Sequence, residues 1–336
     1  MIEFIFTIDY EVYGNGEGSL KELVFEPAKE LYAIFKKWKA RFVLFAEAAE
    51  LEVIGRSGAD PFIEPVERQI RDLWADGFEI GLHLHPQWYN ARRKDSRWYL
   101  DYSEYNLSRL PQPRIEEIVG RSLGYLKNII CPGSYQPLSF RAGNWLLQPT
   151  KAVAESLVKH GIKVDSSVFK GGVQHEHGLD YRRSSKLGYF WKFADDVNVS
   201  VPEGALLEIP TFTKMVPIWR MATGKRAQIA GRAAPGPRGW GREIMRLRDF
   251  FRMHYPMKLD FCRLTPAEIF RILDVEIRED KRDPSAIRPI VAIGHTKDLV
   301  DFETVTALLA YLQTNAVPVS TFREVYSKIN GLGGGS

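Results

Sequence analysis

The stretch Met1-Ile-Glu-Phe-Ile-Phe-Thr-Ile-Asp-Tyr-Glu11 joins an apolar run to two acids, and similar apolar runs recur along the chain. These short runs alternate about seven times with segments whose apolar residues have helical spacing, without a repeat of fixed period. The alternation predicts an α/β fold with parallel strands. Because no Gly-x-Gly-x-x-Gly motif follows the first strand and polar residues end several strands, we predict a barrel rather than an open Rossmann sheet.

The predicted strands and helices define a single domain that spans residues 1–330. Strands are predicted at 2–8, 41–46, 78–85, 138–141, 162–166, 206–210, 290–294 and 317–320. Helices are predicted at 26–40, 65–75, 114–129, 150–160, 265–279 and 302–314. Two stretches, at about 170–201 and 211–258, do not fit the alternation and are interpreted as insertions between strands. The Gly/Ser-rich tail at 331–336 is expected to be flexible.

Composition excludes several classes of protein. The 336 residues are 45% hydrophobic, too many for an intrinsically disordered chain, and the net charge of +4 does not indicate a nucleic-acid-binding protein. Cys131 and Cys262 are too far apart in sequence for a CxxC pair or a zinc ribbon, and buried free thiols are expected. The first residues read as a strand rather than a signal peptide, and no run approaches the ~20 apolar residues of a membrane span. A cytoplasmic protein is therefore expected.

The positive charge is concentrated in one segment, from Arg220 to Arg252. It carries nine basic and two acidic residues, a net charge of +7, so the rest of the chain carries −3. The segment is interpreted either as a solvated loop followed by a basic helix or as a docking surface for an anionic carrier. Such a carrier would be a diphosphate-linked glycan or the membrane face that bears it.

Acids and histidines stand at the ends of two predicted strands. Because side chains at i and i+2 of a strand share a face, Asp9 and Glu11 are expected to project together, and so are His83 and His85. Pro86 stops the second of these strands. Two imidazoles and one or two carboxylates suit a hydrolytic metal with open positions, such as Zn2+, Mn2+, Fe2+ or Co2+. The alternative is that solvent and backbone hydrogen bonds satisfy each pair.

Five motifs occur in order along the chain. They are Thr7-Ile-Asp-Tyr-Glu11, Gly77-Phe-Glu-Ile-Gly-Leu-His-Leu-His-Pro86, Ser139-Phe-Arg-Ala-Gly-Asn-Trp145, Val164-Asp-Ser-Ser-Val168 and Ile290-Val-Ala-Ile-Gly-His295. Together they resemble the motifs of the NodB-like polysaccharide deacetylases (carbohydrate esterase family 4), from about residue 2 to residue 325. The resemblance implies a distorted (β/α)7, TIM-like barrel with insertions at its mouth.

The resemblance also implies an activity and roles for individual residues. A divalent metal, foremost Zn2+, would polarise an N-acetyl carbonyl, and the protein would release acetate from an amino sugar of a glycan or glycan precursor. Asp9 falls on the family's catalytic base, Arg141 on the residue that orients it and His83 on the first histidine ligand. His295 falls on the general acid that protonates the leaving amine, a task that suits a group titrating near neutral pH.

Two positions depart from the family's pattern. Tyr10 occupies the place of the family's metal-binding second Asp, so the ligand role passes to Glu11 or to Asp9 itself. Strand alternation aims both carboxylates inward, and we favour Glu11 as the ligand and Asp9 as the base. The family's second histidine follows the first by four residues, whereas His85 follows His83 by two.

Substrate contacts are predicted in the motifs, at a strand end and in an aromatic loop that follows the histidine pair. The candidates are Trp88, Asn144, Trp145, Asp165 and Glu208. The expected cytoplasmic location favours a glycan precursor still linked to its carrier as the substrate.

Two other functions remain open for such a barrel. A metal-dependent glycosidase is one, because paired carboxylates also cleave glycosidic bonds. A catalytically inactive carbohydrate-binding homologue is the other. An amidohydrolase is disfavoured, because its His-x-His pair ends the first strand and here the pair ends the third.

Overall fold

The computed structural model describes residues 1–130, 134–221, 223–230 and 254–332. The strands are β1 (Ile2–Tyr10), β2 (Val43–Glu47), β3 (Glu79–Leu84), β4 (Arg92–Lys94), β5 (Arg97–Tyr99), β6 (Ser139–Ala142), β7 (Val164–Asp165), β8 (Val173–Gln174), β9 (Leu179–Asp180), β10 (Trp191–Phe193), β11 (Leu206–Glu208), β12 (Thr213–Pro217), β13 (His254–Lys258) and β14 (Arg288–His295). The α-helices are α1 (Glu26–Lys37), α2 (Ala48–Ser57), α3 (Ile63–Ala75), α4 (Gln112–Ile130), α5 (Lys151–Lys159), α6 (Gly224–Ala230), α7 (Pro266–Arg282), α8 (Phe302–Thr314) and α9 (Phe322–Leu332).

Eight strands form the main sheet, in the order β10-β11-β7-β6-β3-β2-β1-β14. All neighbouring pairs are parallel except β10 and β11 at one edge. Isolated parallel bridges join Thr211, just after β11, to Val291 of β14, and Asp260 to Ile293 of β14. These bridges bring the two ends of the sheet together, so the sheet curls into the predicted (β/α)7 barrel.

The strands are buried on both faces, which explains their nearly continuous apolar runs. All residues of β1, β2 and β3 are buried. Ile5, Val43 and Val291 belong to one apolar cluster, whereas Phe4 and Phe6 belong to a second, larger cluster shared with the helices. Because neighbours in a strand face opposite sides, Asp9 shares the face of Ile5 and points into the barrel.

The helices cover the barrel with apolar stripes of helical period. Leu31 and Phe35 are the buried face of α1, and the ring of Phe35 meets the ring of Phe6 edge to face, with centroids 5.0 Å apart. Val66, Ile70 and Leu73 form the equivalent stripe on α3. Helix packing therefore fixes the outer face of the strands, and the inner face is left for the site.

Several predicted boundaries change in the structure. The predicted strand at 317–320 is reduced to a single bridge between Val319 and Phe4. The stretch 170–201 contains β10, which joins the main sheet, and the stretch 211–258 includes the antiparallel pair β12 and β13. Helix α2 was not predicted, because it follows β2 without a loop or a turn signal. Helix α9 runs to Leu332, two residues into the predicted tail, and 333–336 lie outside the described residues.

Some features of the sequence also lie outside the described residues. Cys131 is one, and Cys262 is buried with a free thiol. Most of the basic segment, residue 222 and residues 231–252, is another, so its docking role stays a prediction. In the described ranges, no helix combines the length and the apolar character needed to cross a bilayer.

Helix α7 begins with a capping box that supplies a test of the fold. The Thr265 hydroxyl accepts from the backbone N–H of Glu268, and the Glu268 carboxylate accepts from the backbone N–H of Thr265 at 2.8 Å. We expect Thr265→Ala to lower the free energy of unfolding by about 1 kcal/mol. The backbone N–H of Glu268 loses its acceptor, and the backbone N–H of Thr265 loses the geometry that the capping box gives its bond to Glu268. The measurement is urea unfolding, with Thr306→Ala on the exposed face of α8 as the matched control. Equal effects of the two substitutions would contradict the capping role.

Candidate metal centre and active site

Four polar side chains meet at the carboxyl ends of the strands. In the sheet register, Asp9 of β1 lies beside His295 of β14, and His83 of β3 lies beside Arg141 of β6. Asp9, His83 and Arg141 are almost completely buried, while the His295 side chain keeps 18% of its surface exposed. The site is therefore a buried cluster of polar groups whose most exposed member is His295, at the end of the barrel where α/β barrels carry their chemistry.

Glu11, His83 and His85 form a group that could hold a metal ion, with one ligand atom from each lying within 4.8 Å of the others. Glu11 Oε2 is 3.4 Å from His83 Nε2 and 3.0 Å from His85 Nε2. Ligand atoms bonded to a tetrahedral Zn2+ at ~2.0–2.2 Å stand roughly 3.4 Å apart, so these separations fit. Asp9, Glu11 and His295 form a second, overlapping group.

Hydrogen bonds set the orientation of the two imidazoles. His83 Nδ1 lies 2.9 Å from the carbonyl of Arg141, and His83 Nε2 is buried without a hydrogen-bond partner in the described part of the chain. Donation by Nδ1 leaves the lone pair of Nε2 directed at Glu11, as in histidine ligands held by a backbone carbonyl. The Asn144 amide lies 3.1 Å from His85 Nδ1. A ligand role for Nε2 of His85 requires Nδ1 to carry the proton and the oxygen of that amide to accept it.

Asp9 is held by an ion pair with Arg141. The guanidinium Nη1 donates to Asp9 Oδ1 at 2.6 Å, Nη2 donates to Thr7 Oγ1 at 2.9 Å and Nε donates to the carbonyl of Ser166 at 3.1 Å. His295 Nε2 lies 3.4 Å from the other oxygen of Asp9. Burial opposes ionisation of Asp9, but Arg141, His83 and His295 outweigh it and lower its pKa. Asp9 is thus an ionised carboxylate with a fixed direction.

Glu11 has a different cationic partner, which the sequence did not single out. Lys297 Nζ donates to Glu11 Oε1 at 2.7 Å and to the carbonyl of Val12 at 3.1 Å. Burial raises the pKa of Glu11, yet Lys297 and His85 lower it by more, so it falls well below its ordinary value. Lys297 lies in a short 3-10 turn, Thr296–Asp298, that follows β14, so the strand period could not have indicated its position.

Two further glutamates stand behind the site. Glu47 caps α2 by accepting from the backbone N–H of Glu50, and its other oxygen accepts from the backbone N–H of His85 at 2.6 Å. The Glu50 carboxylate accepts from the backbone N–H of Val12 at 2.8 Å. Burial and the charge of Glu50 raise the pKa of Glu47 well above its usual range, and burial and Glu11 raise the pKa of Glu50 to about 8. The two glutamates thus anchor the segments that carry Glu11 and His85.

Tyr10 points away from this group. It is fully buried, and its hydroxyl donates to Gln69 Oε1 of α3 at 2.5 Å, on the helix side of β1. Tyr10, which stands where the resemblance implies a metal-binding Asp, therefore packs between strand and helix and offers no ligand atom to the site. Both carboxylates that do face the site, Asp9 and Glu11, remain candidates for the ligand.

Asn144 and Trp145 lie in a tight turn directly after β6. Both have a left-handed backbone, with φ of 53° and 67°. Gly143 precedes them, and a Cβ there would lie 2.6 Å from the carbonyl of Leu84 and 2.7 Å from His85 Nδ1. Only glycine lets the turn approach the histidine this closely. Strain of this kind in non-glycine residues is concentrated at functional sites.

The other predicted substrate contacts are buried. Trp88 is 1% exposed and its ring meets that of Trp98, with centroids 5.3 Å apart. Asp165 accepts from Ser167, and Glu208 accepts from the backbone N–H of Val168 at 3.0 Å. Neither carboxyl has exposed surface. A direct substrate contact by these three residues stays a prediction.

Asp165 and Glu208 form a coupled pair of acids in adjacent strands. Burial, together with the charge of Asp165, raises the pKa of Glu208 well above its ordinary value of 4.5, and burial also raises the pKa of Asp165. Glu208 of β11 lies beside Asp165 of β7 in the parallel sheet register.

The raised pKa of Glu208 makes stability depend on pH. As pH rises above the ordinary value of 4.5, the Glu208 carboxyl ionises in the unfolded state but stays neutral in the folded state. The free energy of unfolding therefore falls with rising pH until the raised pKa of the folded state is reached. We expect Glu208→Gln to remove part of the fall in unfolding free energy between pH 5 and 8, by about 1 kcal/mol or more. Urea unfolding at both pH values tests this, with the exposed Glu203→Gln as control. An unchanged pH dependence would contradict the assignment.

Comparisons with known proteins found similarity at the level of structure alone. A scan against protein-family models and a search of curated proteins found no match. Among solved structures, a candidate polysaccharide deacetylase from Mycobacterium smegmatis matches with a TM-score of 0.55 and 14% identity, over 98% of this chain and 91% of that one. PuuE allantoinase matches with a TM-score of 0.51 and 13% identity, over 96% of this chain and 88% of the other.

A third structure widens the range of chemistry on this fold. The 4-α-glucanotransferase of Thermococcus litoralis matches with a TM-score of 0.52 and 12% identity, over 98% of this chain but 38% of its own. At such identities the likeness concerns the fold, and function has to be argued from the site. The chain shares its barrel fold with these structures, one of which is described as a candidate polysaccharide deacetylase, and this agrees with the fold that the resemblance of its five motifs implies.

Proposed function

We propose that the chain is a metal-dependent N-deacetylase that releases acetate from an N-acetylated amino sugar of a glycan or glycan precursor. One observation carries the proposal. The Asp9–Arg141 ion pair, with its 2.6 Å bond, lies in the same pocket as a buried Glu11, His83 and His85 group. An ionised carboxylate of fixed direction beside a set of nitrogen and oxygen ligands is the arrangement that metal-assisted hydrolysis needs.

Glu11, His83 and His85 would hold the metal, with Asp9 as the alternative carboxylate ligand. The mixed imidazole and carboxylate donors favour Zn2+, and Co2+, Mn2+ and Fe2+ accept the same donors. When bound, such an ion would polarise the acetamide carbonyl and lower the pKa of water. The Nε2 atom of His83 supports this use, because it is buried 3.4 Å from Glu11 Oε2 and makes no hydrogen bond within the described residues, so a metal could take its lone pair.

Asp9 would accept the proton of the attacking water. Arg141 holds it ionised and directs Oδ1 away from the pocket, which leaves Oδ2 toward His83 and His295. His295 would donate a proton to the leaving amine, since its Nε2 lies 3.4 Å from Asp9 and its side chain is the most exposed of this group. Base and acid thus lie next to each other on adjacent strands, where both could reach one scissile amide.

The glycosidase alternative fits the pocket less well. A glycosidase needs one carboxylic acid with a raised pKa to protonate the leaving oxygen and one ionised carboxylate. The cationic partners of Asp9 and Glu11 lower the pKa of both, against the effect of burial. Metal binding and acetate release distinguish a deacetylase from a carbohydrate-binding homologue without activity. We also propose that the protein acts in the cytoplasm and that its substrate is a glycan precursor still linked to a carrier.

Metal binding is the first measurement. We expect the stripped protein to bind one Zn2+ per chain in isothermal titration calorimetry, and His83→Ala and Glu11→Gln each to weaken binding by roughly 100-fold through loss of a ligand. His160→Ala is the matched control, because His160 pairs with Glu116 on a surface helix end. Weak binding by the unaltered protein would refute the mechanism. Loss in Asp9→Asn with retention in Glu11→Gln would reverse the choice of carboxylate ligand.

Acetate release is the second measurement. With metal added, N-acetylated oligosaccharides and carrier-linked N-acetyl sugars should yield acetate, and Asp9→Asn should abolish turnover. His295→Ala should lower kcat by ~10²–10⁴-fold, the range for loss of a general acid, while the metal stays bound. Loss of metal from His295→Ala would instead make His295 a ligand. Release of a reducing sugar in place of acetate would identify the glycosidase.

A further inference from the structure

Lys258 ends strand β13 with its ammonium group against two aromatic rings. Nζ lies 4.5 Å from the centroid of Trp145 and 4.6 Å from that of Phe169, and those two rings meet at 5.4 Å. The side chain is half-buried, and within the described ranges it has no hydrogen bond and no ion pair. Aromatic faces attract an ammonium group but leave its three N–H donors unused.

Lys170 provides a comparison in the same protein. Its ammonium lies 5.5 Å from the centroid of Trp191, but it also donates to the carbonyls of Leu187 and Gly188 at 2.6 and 2.5 Å. Burial lowers the pKa of both lysines to about 8. The donors of Lys170 are therefore committed to the fold, whereas those of Lys258 are available to a ligand.

The position of Lys258 links it to the reacting groups. The Trp145 ring that lies under its ammonium is also 5.7 Å from the guanidinium of Arg141, the partner of Asp9. Just after Lys258, the carbonyl of Leu259 accepts from the backbone N–H of Ile293 at 2.9 Å, two residues before His295. Lys258 is thus one aromatic ring away from the Asp9–Arg141 pair and on a strand tied to the one that carries the proposed acid.

The charge of Asp260 acts on Lys258, but in the described part of the chain no carboxylate forms an ion pair with it. Arg141 is paired with Asp9, and Lys297 is paired with Glu11. Asp260, the acid nearest to Lys258 in sequence, accepts from the backbone N–H of Cys262 at 3.0 Å and lies 3.5 Å from the Arg263 guanidinium. A cation that has no ion-pair partner among the described residues and lies near the Asp9–Arg141 pair favours a substrate that supplies the anion.

We propose that Lys258 binds an anionic substituent, a carboxylate or a phosphate, of the amino sugar whose acetamido group enters the pocket. The inference rests on the proposed function, and it narrows the substrate class to acidic N-acetyl sugars. An ammonium group is a compact point charge that serves either anion, and partial burial strengthens the bond. The face of the Trp145 ring holds the Lys258 ammonium group in place and so positions it to bind the anionic substituent of the sugar.

The experiment compares three sugars on four proteins. The sugars are N-acetylglucosamine, which is neutral, N-acetylglucosamine 1-phosphate and N-acetylmuramic acid, which bears a carboxylate. The proteins are the unaltered chain, Lys258→Met, Lys258→Arg and the control Lys170→Met. Acetate release gives kcat/KM for each pair, and quenching of tryptophan fluorescence gives binding independently of catalysis. Melting temperatures show which variants fold.

We expect the unaltered protein to prefer at least one acidic sugar by about tenfold or more, the effect of one charge-assisted hydrogen bond. Lys258→Met should remove the preference for the acidic sugar without changing kcat/KM for the neutral sugar. Lys258→Arg should keep most of the preference. Lys170→Met should keep all of it, measured on the folded fraction of that variant. The phosphate and carboxylate arms decide between the two anions. Binding of the preferred sugar should weaken with added salt.

The outcomes separate this inference from the proposed function. Acetate release from all three sugars at equal efficiency, unchanged by Lys258→Met, would overturn the role of Lys258 and leave the deacetylase intact. No acetate from any sugar, with acid-selective binding that Lys258→Met removes, would overturn the deacetylase and support the anion site. Equal binding of neutral and acidic sugars by the unaltered protein would overturn the inference whatever the variants do.

Discussion

The buried ion pair between Asp9 and Arg141 is the interaction on which the rest of the site depends. The two residues lie on β1 and β6, which are separated in the sheet by β2 and β3, so the pair reaches across the barrel interior. The guanidinium lies over the ring of Phe45 of β2, 4.2 Å from its centroid, and its remaining donors bond to Thr7 and Ser166. A charge removed from water in this way is tolerable only with such complete satisfaction. The same bonds that make the pair tolerable also fix the direction of the carboxylate.

The charged groups around this pair form two layers, a first rank that faces the site and a second rank behind it. Asp9 with Arg141 and Glu11 with Lys297 balance each other in the first rank, and Glu47 and Glu50 stand behind them with raised pKa values. The second rank follows from the first, because Glu11 is one cause of the raised pKa of Glu50. A cation placed among Glu11, His83 and His85 would favour ionisation of both rear glutamates, so the surrounding protein can adjust its charge to a bound ion. These glutamates also accept hydrogen bonds from the backbone N–H groups of Val12 and His85. The positions of Glu11 and His85 therefore depend on the charge state of the same two glutamates.

The sequence predicts the barrel and the inward-facing acids and histidines because both depend on local periods. Alternating apolar runs indicate parallel strands, and the i, i+2 rule places Asp9 with Glu11 and His83 with His85. Partners distant in sequence were beyond such rules. Nothing local to Lys258 shows that Trp145 will lie under its ammonium, and Glu50 has the spacing of an ordinary first-turn helix residue. Helix α2 escaped prediction for a related reason, since Glu47 ends a strand and caps the helix at once.

The two departures from the family's motifs have one geometric explanation. A metal site needs its donors on one face, and a helical turn meets that need with a spacing of four, whereas a strand meets it with a spacing of two. His83 lies in β3 and His85 directly follows it with an extended backbone, so the second imidazole returns to the same face after two residues. The same period on β1 sends Tyr10 to the helix side and Glu11 back toward Asp9. Because both ligand pairs follow the strand period, replacement of the second Asp by Tyr10 is compatible with an intact donor set. The strand period therefore explains why Glu11 and His85, rather than Tyr10, lie beside Asp9 and His83.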